Sequence, residues 1–326
     1  MIGPYLLRLL CLCLASFFIA NALSGMVLLC LSPVAVKIAE RARPRTAARL
    51  LFLARLSPCL LGIAVVIGLC VPSYLRFEPE ATMERIGFLC LIAAVLGSVS
   101  WVLACVCATR ALADSHSCQR RWWSSGYETR LPGAISGALV VQNESPLLAV
   151  TGVLRPRPVV SQAVLRLLSS EQLELAFDHE NAHAASHDNL KRLLFLLAPD
   201  PLPFVRGFAA LEQKWAKLCE WAADDEAVQG DPRRAVTLAT ALVRVARMGI
   251  SPRLTFLQTS LVNGGQELSD RIDRLLRTKS LGARPSIRSR GSVIYTGLGS
   301  IACLASVAAC PAILSFVHRL LELLLR

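Results

Sequence analysis

Long apolar runs and one long polar stretch divide the chain. Leu9 to Leu31 passes without a charged side chain, and so does Ile86 to Ala108. Between them, a run from about Leu50 to Val71 carries one charge, Arg55, near an end from which it can snorkel to an interface. A fourth run, Ser292 to Val317, is uncharged and holds Gly297, Gly299 and Pro311, residues that spanning helices tolerate. Lipid offers the backbone no hydrogen-bond partner, so about 20 consecutive apolar residues cross it only as a helix. The pattern predicts four transmembrane helices, at about 9–31, 50–71, 86–108 and 292–317, with 318–326 as a short tail. The first run is too long for the apolar core of a secretory signal and lacks a clear small-residue cleavage pattern, so it is expected to stay as a span.

The stretch 109–291 has a different texture. From Leu112 to Gly137 it is polar, with Trp122 and Trp123 placed where interface anchors occur. Apolar, partly β-branched runs broken by Gly and Pro between Ala138 and Ser161 predict short strands or a small hairpin. Ser169 and Gln172 form a capping-box pattern that opens a helix, expected to continue through His179, His183 and Asn189 to Leu193. Pro199, Pro201 and Pro203 must end it. A second helix fits 205–228, stopped by Gly230 and Asp231-Pro232, and a third fits 234–248. Leu190 to Phe208 is apolar on both sides of the prolines but too short to span twice, which suits a dip into the interface.

Composition sharpens the class. The chain is 54% hydrophobic and only 18% charged, which excludes a disordered chain, a coiled coil and an ordinary soluble enzyme. Ten of the twelve cysteines sit inside apolar runs and no C-x-x-C pair occurs, so neither a disulfide framework nor a cysteine zinc site is expected. The net charge is +12, yet no aromatic-interleaved basic patch appears, so the excess is assigned to lipid headgroups and no direct nucleic-acid role is expected. Residues 32–49 carry Lys37, Arg41, Arg43, Arg45 and Arg49 against Glu40, whereas 72–85 carry Arg76 and Arg85 against Glu78, Glu80 and Glu84. The positive-inside rule then places the amino terminus outside and 109–291 in the cytoplasm of a multi-pass cell-membrane protein.

Three of the five histidines, His179, His183 and His187, fall within nine residues. His179-Glu180-Asn181-Ala182-His183 is an H-E-x-x-H motif on a predicted helix. A spacing of four stacks the two imidazoles one turn apart on one face, where they can share a metal, and Glu180 can bond a water held there. Zinc brings such a water to a pKa of about 7 and polarises a carbonyl, while the Glu takes and returns the proton. A catalytic zinc needs a third protein ligand and an open position. Glu220 on the next helix is the best candidate, with Asp224 four residues on able to fix a histidine tautomer. Asp188 is an orienting candidate on the first helix, and His187 is not assigned to the metal. His116 and His318 are expected at the interface.

With these motifs stand Gly152-Val153-Leu154-Arg155-Pro156, Leu168-Ser169-Ser170-Glu171-Gln172-Leu173, Asp188-Asn189 and Glu220-Trp221-Ala222-Ala223-Asp224-Asp225. In that order, between three spans and a fourth, they resemble the BlaR/MecR-type membrane zinc peptidases and, more distantly, gluzincins of the HtpX and CAAX prenyl protease types. The resemblance implies a mainly α integral membrane protein with a mostly helical, zincin-like α+β domain inserted between the third and fourth spans. It implies one Zn2+ per chain on His179, His183 and Glu220, with Glu180 as base and a strand near 147–154 as the edge that receives substrate backbone. The expected activity is cleavage of a cytoplasmic or membrane-adjacent protein in regulatory signalling, a transcriptional repressor being one candidate substrate. An HtpX-like quality-control protease and a non-catalytic signalling protein with a vestigial site are the alternatives. The family's external penicillin-binding sensor has no counterpart in these residues, so beta-lactam sensing is not expected, and His187 stands where the family usually has a basic residue.

Overall fold

A computed structural model describes residues 2–77, 87–134, 137–200, 207–249, 257, 259–260, 265–277 and 311–325. It is mostly helical, with one small mixed sheet. Helix α1 runs Ile2–Arg41 and α2 runs Pro44–Val65, continuing through a π-helical turn, Val66–Cys70, into α3, Val71–Phe77. Helix α4 runs Phe88–Ser125. Three stretches are long and apolar enough to cross a membrane: Tyr5–Arg41, Pro44–Phe77 and Phe88–Ser125. Their outward faces leave Leu7, Leu53, Ile67 and Val102 more than half exposed, a surface suited to lipid rather than water. Helices α1 and α4 pack closely because Gly97 has no side chain; a Cβ there would stand 2.6 Å from the Leu14 carbonyl oxygen. The predicted fourth span lies outside the described residues as far as 310. From there α11, Pro311–Leu325, packs on α3, with Ser73 Oγ donating to the Leu314 carbonyl at 3.0 Å.

Helix α4 does not stop where its apolar run ends, and its polar half carries the sheet. Strand β1 (Gly126–Thr129) follows it directly, then β2 (Ala138–Val141), β3 (Leu148–Thr151), β4 (Arg157–Ser161) and, far along the chain, β5 (Thr259–Ser260). The spatial order is β1-β2-β4-β3-β5; β2 and β4 are parallel and the other pairs antiparallel. The central strands are buried on both faces, and the two-residue period of a strand sorts their side chains into two cores. Ala138, Val140, Leu148 and Val160 face the helices, while Leu139, Val141, Ala149 and Val159 face Cys118 and Trp122 of α4. Trp122 is therefore a core residue, not the interface anchor its position suggested; Trp123 is exposed and carries the Arg157 guanidinium over its ring at 5.3 Å.

After the sheet come α5 (Gln162–Leu167), α6 (Ser170–Ser186), α7 (Asp188–Leu197), α8 (Gly207–Val228), α9 (Pro232–Arg247) and α10 (Gly265–Arg277). The capping box forms as expected: Ser169 Oγ accepts from the Gln172 backbone and the Gln172 side chain accepts from the Ser169 backbone. The single helix expected through Leu193 is instead two. His187 adopts the left-handed conformation, with φ 53° and ψ 44°, and ends α6 while α7 starts at Asp188. Histidine tolerates that region better than branched residues do.

The descent of α7 is deeper than an interfacial dip. Its end at Ala198 packs against Phe17 of α1 and Cys59 of α2, and Asn21 of α1 donates to the Pro199 carbonyl at 3.1 Å. Arg55 does not snorkel outward. It is 3% exposed, bonded to Asp200 at 2.5 Å and to Glu212 at 2.7 Å, and lies over the Phe208 ring at 4.9 Å. A charge buried beside lipid is stable only when paired in this way.

Candidate metal centre

Helix α6 presents His179, Glu180 and His183 inward, all at most 2% exposed. Helix α8 returns alongside and brings Glu220 and Asp224, at 6% and 0%. The two imidazole Nε2 atoms are 3.2 Å apart. Glu220 Oε2 lies 3.5 Å from His179 Nε2, and its Oε1 lies 3.5 Å from His183 Nε2. Two ligands about 2.1 Å from one tetrahedral ion stand about 3.4 Å from each other, so this donor triangle has the size a zinc ion requires. Among the described residues, His179, His183 and Glu220 are the one group able to hold a metal.

The outer nitrogens are spoken for. His183 Nδ1 pairs with Asp188 Oδ2 at 2.8 Å, and His179 Nδ1 lies 3.0 Å from Asp224 Oδ1. Carboxylates on Nδ1 leave both Nε2 atoms directed at the shared point, the orientation a metal-ligating histidine needs. Asp188 reaches His183 only because of the break at His187. Five residues along an unbroken helix it would project well round the cylinder, whereas the left-handed residue swings it back. Lys191 Nζ holds the other Asp188 oxygen at 2.8 Å.

Electrostatics reinforce the geometry. Burial alone would pull both imidazoles down. Glu220 and Asp188 more than reverse this at His183, raising it to about 10, and Asp224 and Glu220 raise His179. Burial pushes the carboxyls upward, yet His183 and Arg271 hold Glu220 well below the ordinary range, and Arg271 and His179 hold Asp224 at about 2. Two carboxylates and two rings thus favour positive charge at their centre, where a dication can replace protons. Glu180 differs. It is fully buried, neither carboxylate oxygen has a hydrogen-bond partner, and burial raises its pKa to about 7. An orphaned buried carboxylate beside a donor triangle is what a general base awaiting water and substrate looks like.

Arg271 escaped the sequence reading. It is 4% exposed on α10, bidentate to Asp224 at 2.9 and 2.6 Å, and 3.0 Å from Glu220 Oε2. Its Nη2 lies 3.5 Å from His179 Nε2. Its signal was an arginine on the apolar stripe of a short amphipathic helix, between Leu268 and Leu275. Asn189 is a second such residue: its Nδ2 donates to the carbonyls of Val150 and Gly152, tying the end of β3 to the helix that follows the histidines. Gly152 stands there at φ 90°, where a Cβ would meet the Arg155 carbonyl at 2.6 Å. His187 is exposed and His116 is exposed on α4, both away from the cluster.

The strand expected to be an open edge is not one. β5 of the same chain pairs with Ala149 and Val150 on the outer side of β3. A two-residue strand is enough to close the middle of that edge.

Compared with known protein families and with curated proteins, the chain matches none, so the functional reading rests on the site itself.

Proposed function

We propose that the chain is a membrane-embedded zinc endopeptidase of the BlaR/MecR-like kind, its peptidase domain on the cytoplasmic side, acting in regulatory proteolysis. One observation carries the reading: the donor triangle of His179, His183 and Glu220 beside the unpartnered, buried carboxylate of Glu180. His179, His183 and Glu220 would hold one zinc, and Asp224 and Asp188 fix the two rings. When bound, zinc supplies a Lewis acid for the scissile carbonyl and lowers the pKa of attacking water to about 7. Glu180 takes the proton from that water and delivers it to the departing amine nitrogen, so its pKa near neutrality suits both halves of the task. Arg271 holds Glu220 and Asp224 in place through its fork of donors. Substrate backbone would lie along β3 in the place that Thr259 and Ser260 take, adding a strand to the sheet.

Glu180→Gln tests the reading. The variant should bind zinc like the parent protein and lose cleavage of an unfolded protein by about 10²-fold or more. Equal cleavage by parent and variant would remove Glu180 from the mechanism.

A further inference from the structure

The depth of the metal centre limits what can reach it. The charge-free part of α4 ends at Thr109, before the exposed Arg110. Trp101 packs in the cluster formed by Phe17, Cys59 and Ala198. At 1.5 Å per residue, the foot of α7 therefore lies about 13 Å inside the apolar layer that Arg110 bounds. From there the ten-residue α7 rises about 15 Å to Asp188, which holds His183. The centre consequently stands at the height of Arg110, where lipid headgroups begin. Arg45 and Arg49, at the start of α2, flank the same level, since Ala48 between them packs in the cluster that holds Cys219 of α8.

The β3–β4 hairpin independently marks the same height. Val153 packs on Ala108, Ala111 and Leu112 at the end of the apolar part of α4. The next residue, Leu154, is 79% exposed and is followed by Arg155. A bare leucine beside an arginine at the mouth of a span is an anchor for the acyl–headgroup boundary. So β3, the strand beside the site, runs toward the bilayer surface.

We propose that the substrate is a juxtamembrane segment, a peptide stretch directly beside a membrane anchor, rather than a loop of a freely diffusing folded protein. The proposal rests on the endopeptidase reading above and deepens it. Water adds across the peptide bond, freeing one carboxylate and one amine, and no other reactant is needed. About five extended residues span about 17 Å, enough to bring a bond that close to an anchor up to the centre.

The test uses the full chain, zinc-loaded and reconstituted in liposomes. Reporters carry one membrane helix followed by the same unfolded casein segment, placed about 5, 15 or 40 flexible residues from the helix; a fourth lacks the helix. The five-residue reporter should be cut at least as fast as the 40-residue one, and the unanchored reporter more than about tenfold slower than either. A five-residue reporter that resists while the 40-residue one is cut would overturn the proposal, because the centre would then stand off from the bilayer. No cleavage of any reporter would overturn the endopeptidase reading and this proposal with it. Leu154→Asp should slow the five-residue reporter several-fold and spare the unanchored one. Equal rates on both reporters for parent and variant would remove the hairpin from the argument.

Discussion

Glu180 is the side chain on which the chemistry turns, and its environment makes a prediction that needs no substrate. In the metal-free protein, burial raises its pKa from the usual carboxylate value to about 7. Folded protein then holds a proton that unfolded protein releases, so this residue's contribution falls as pH rises from about 4.5 to 7 and is level above that. Glu180→Gln should accordingly raise the melting temperature of metal-free protein, with a gain that grows across that window. A gain independent of pH would show that the carboxyl is not buried as described. Asp188→Asn and Asp224→Asn should each weaken zinc binding by about 10- to 100-fold in competition with a chelator, since each carboxylate orients one imidazole. At this scale the sequence was most informative about residues on one helix. His179, Glu180 and His183 announce themselves by spacing, and Glu220 and Asp224 by theirs on the following helix. Arg271, 47 residues beyond Asp224, carries no local mark of where its guanidinium goes.

Elements place those residues, and the left-handed His187 is the joint between two of them. His187→Gly keeps the conformation available and should leave zinc affinity near that of the parent. His187→Val forces a β-branched residue into a region it avoids, with a cost of about 1–2 kcal/mol, visible as a lower melting temperature and weaker zinc binding. The break was not legible beforehand because hydrophobic periodicity continues through it: Leu193 lies on the face a straight helix would give it. The strands were legible as apolar runs, but their partners were not. β1 follows α4 without a turn signal, and β5 is two residues long, below what periodicity can detect. Because β5 closes the edge of β3, Thr259→Pro should loosen that pairing and speed cleavage of an unfolded peptide several-fold. An unchanged rate would place the substrate elsewhere.

At the scale of the whole molecule, the membrane helices and the polar domain are interlocked. Arg55 of α2 meets Asp200 and Glu212 at the foot of the α7–α8 pair, and Asn21 of α1 caps the same bend. The apolar runs were plain in the sequence; that one charge within them serves a segment 145 residues away was not. Arg55→Ala leaves Glu212 buried without its cation and should cost about 3 kcal/mol in lipid nanodiscs, less if water reaches the half-exposed Asp200. Restoration of stability by adding Glu212→Gln would identify the stranded carboxylate as the cause. The central claim is that two imidazoles and one carboxylate converge on a single zinc. X-ray absorption at the zinc edge of the loaded protein measures this directly. One zinc per chain, with two imidazole nitrogens and oxygen ligands at about 2.0–2.2 Å and a shell altered by Glu220→Gln, is the predicted result. A sulfur-containing shell, or one indifferent to loss of His179 and His183, would contradict it.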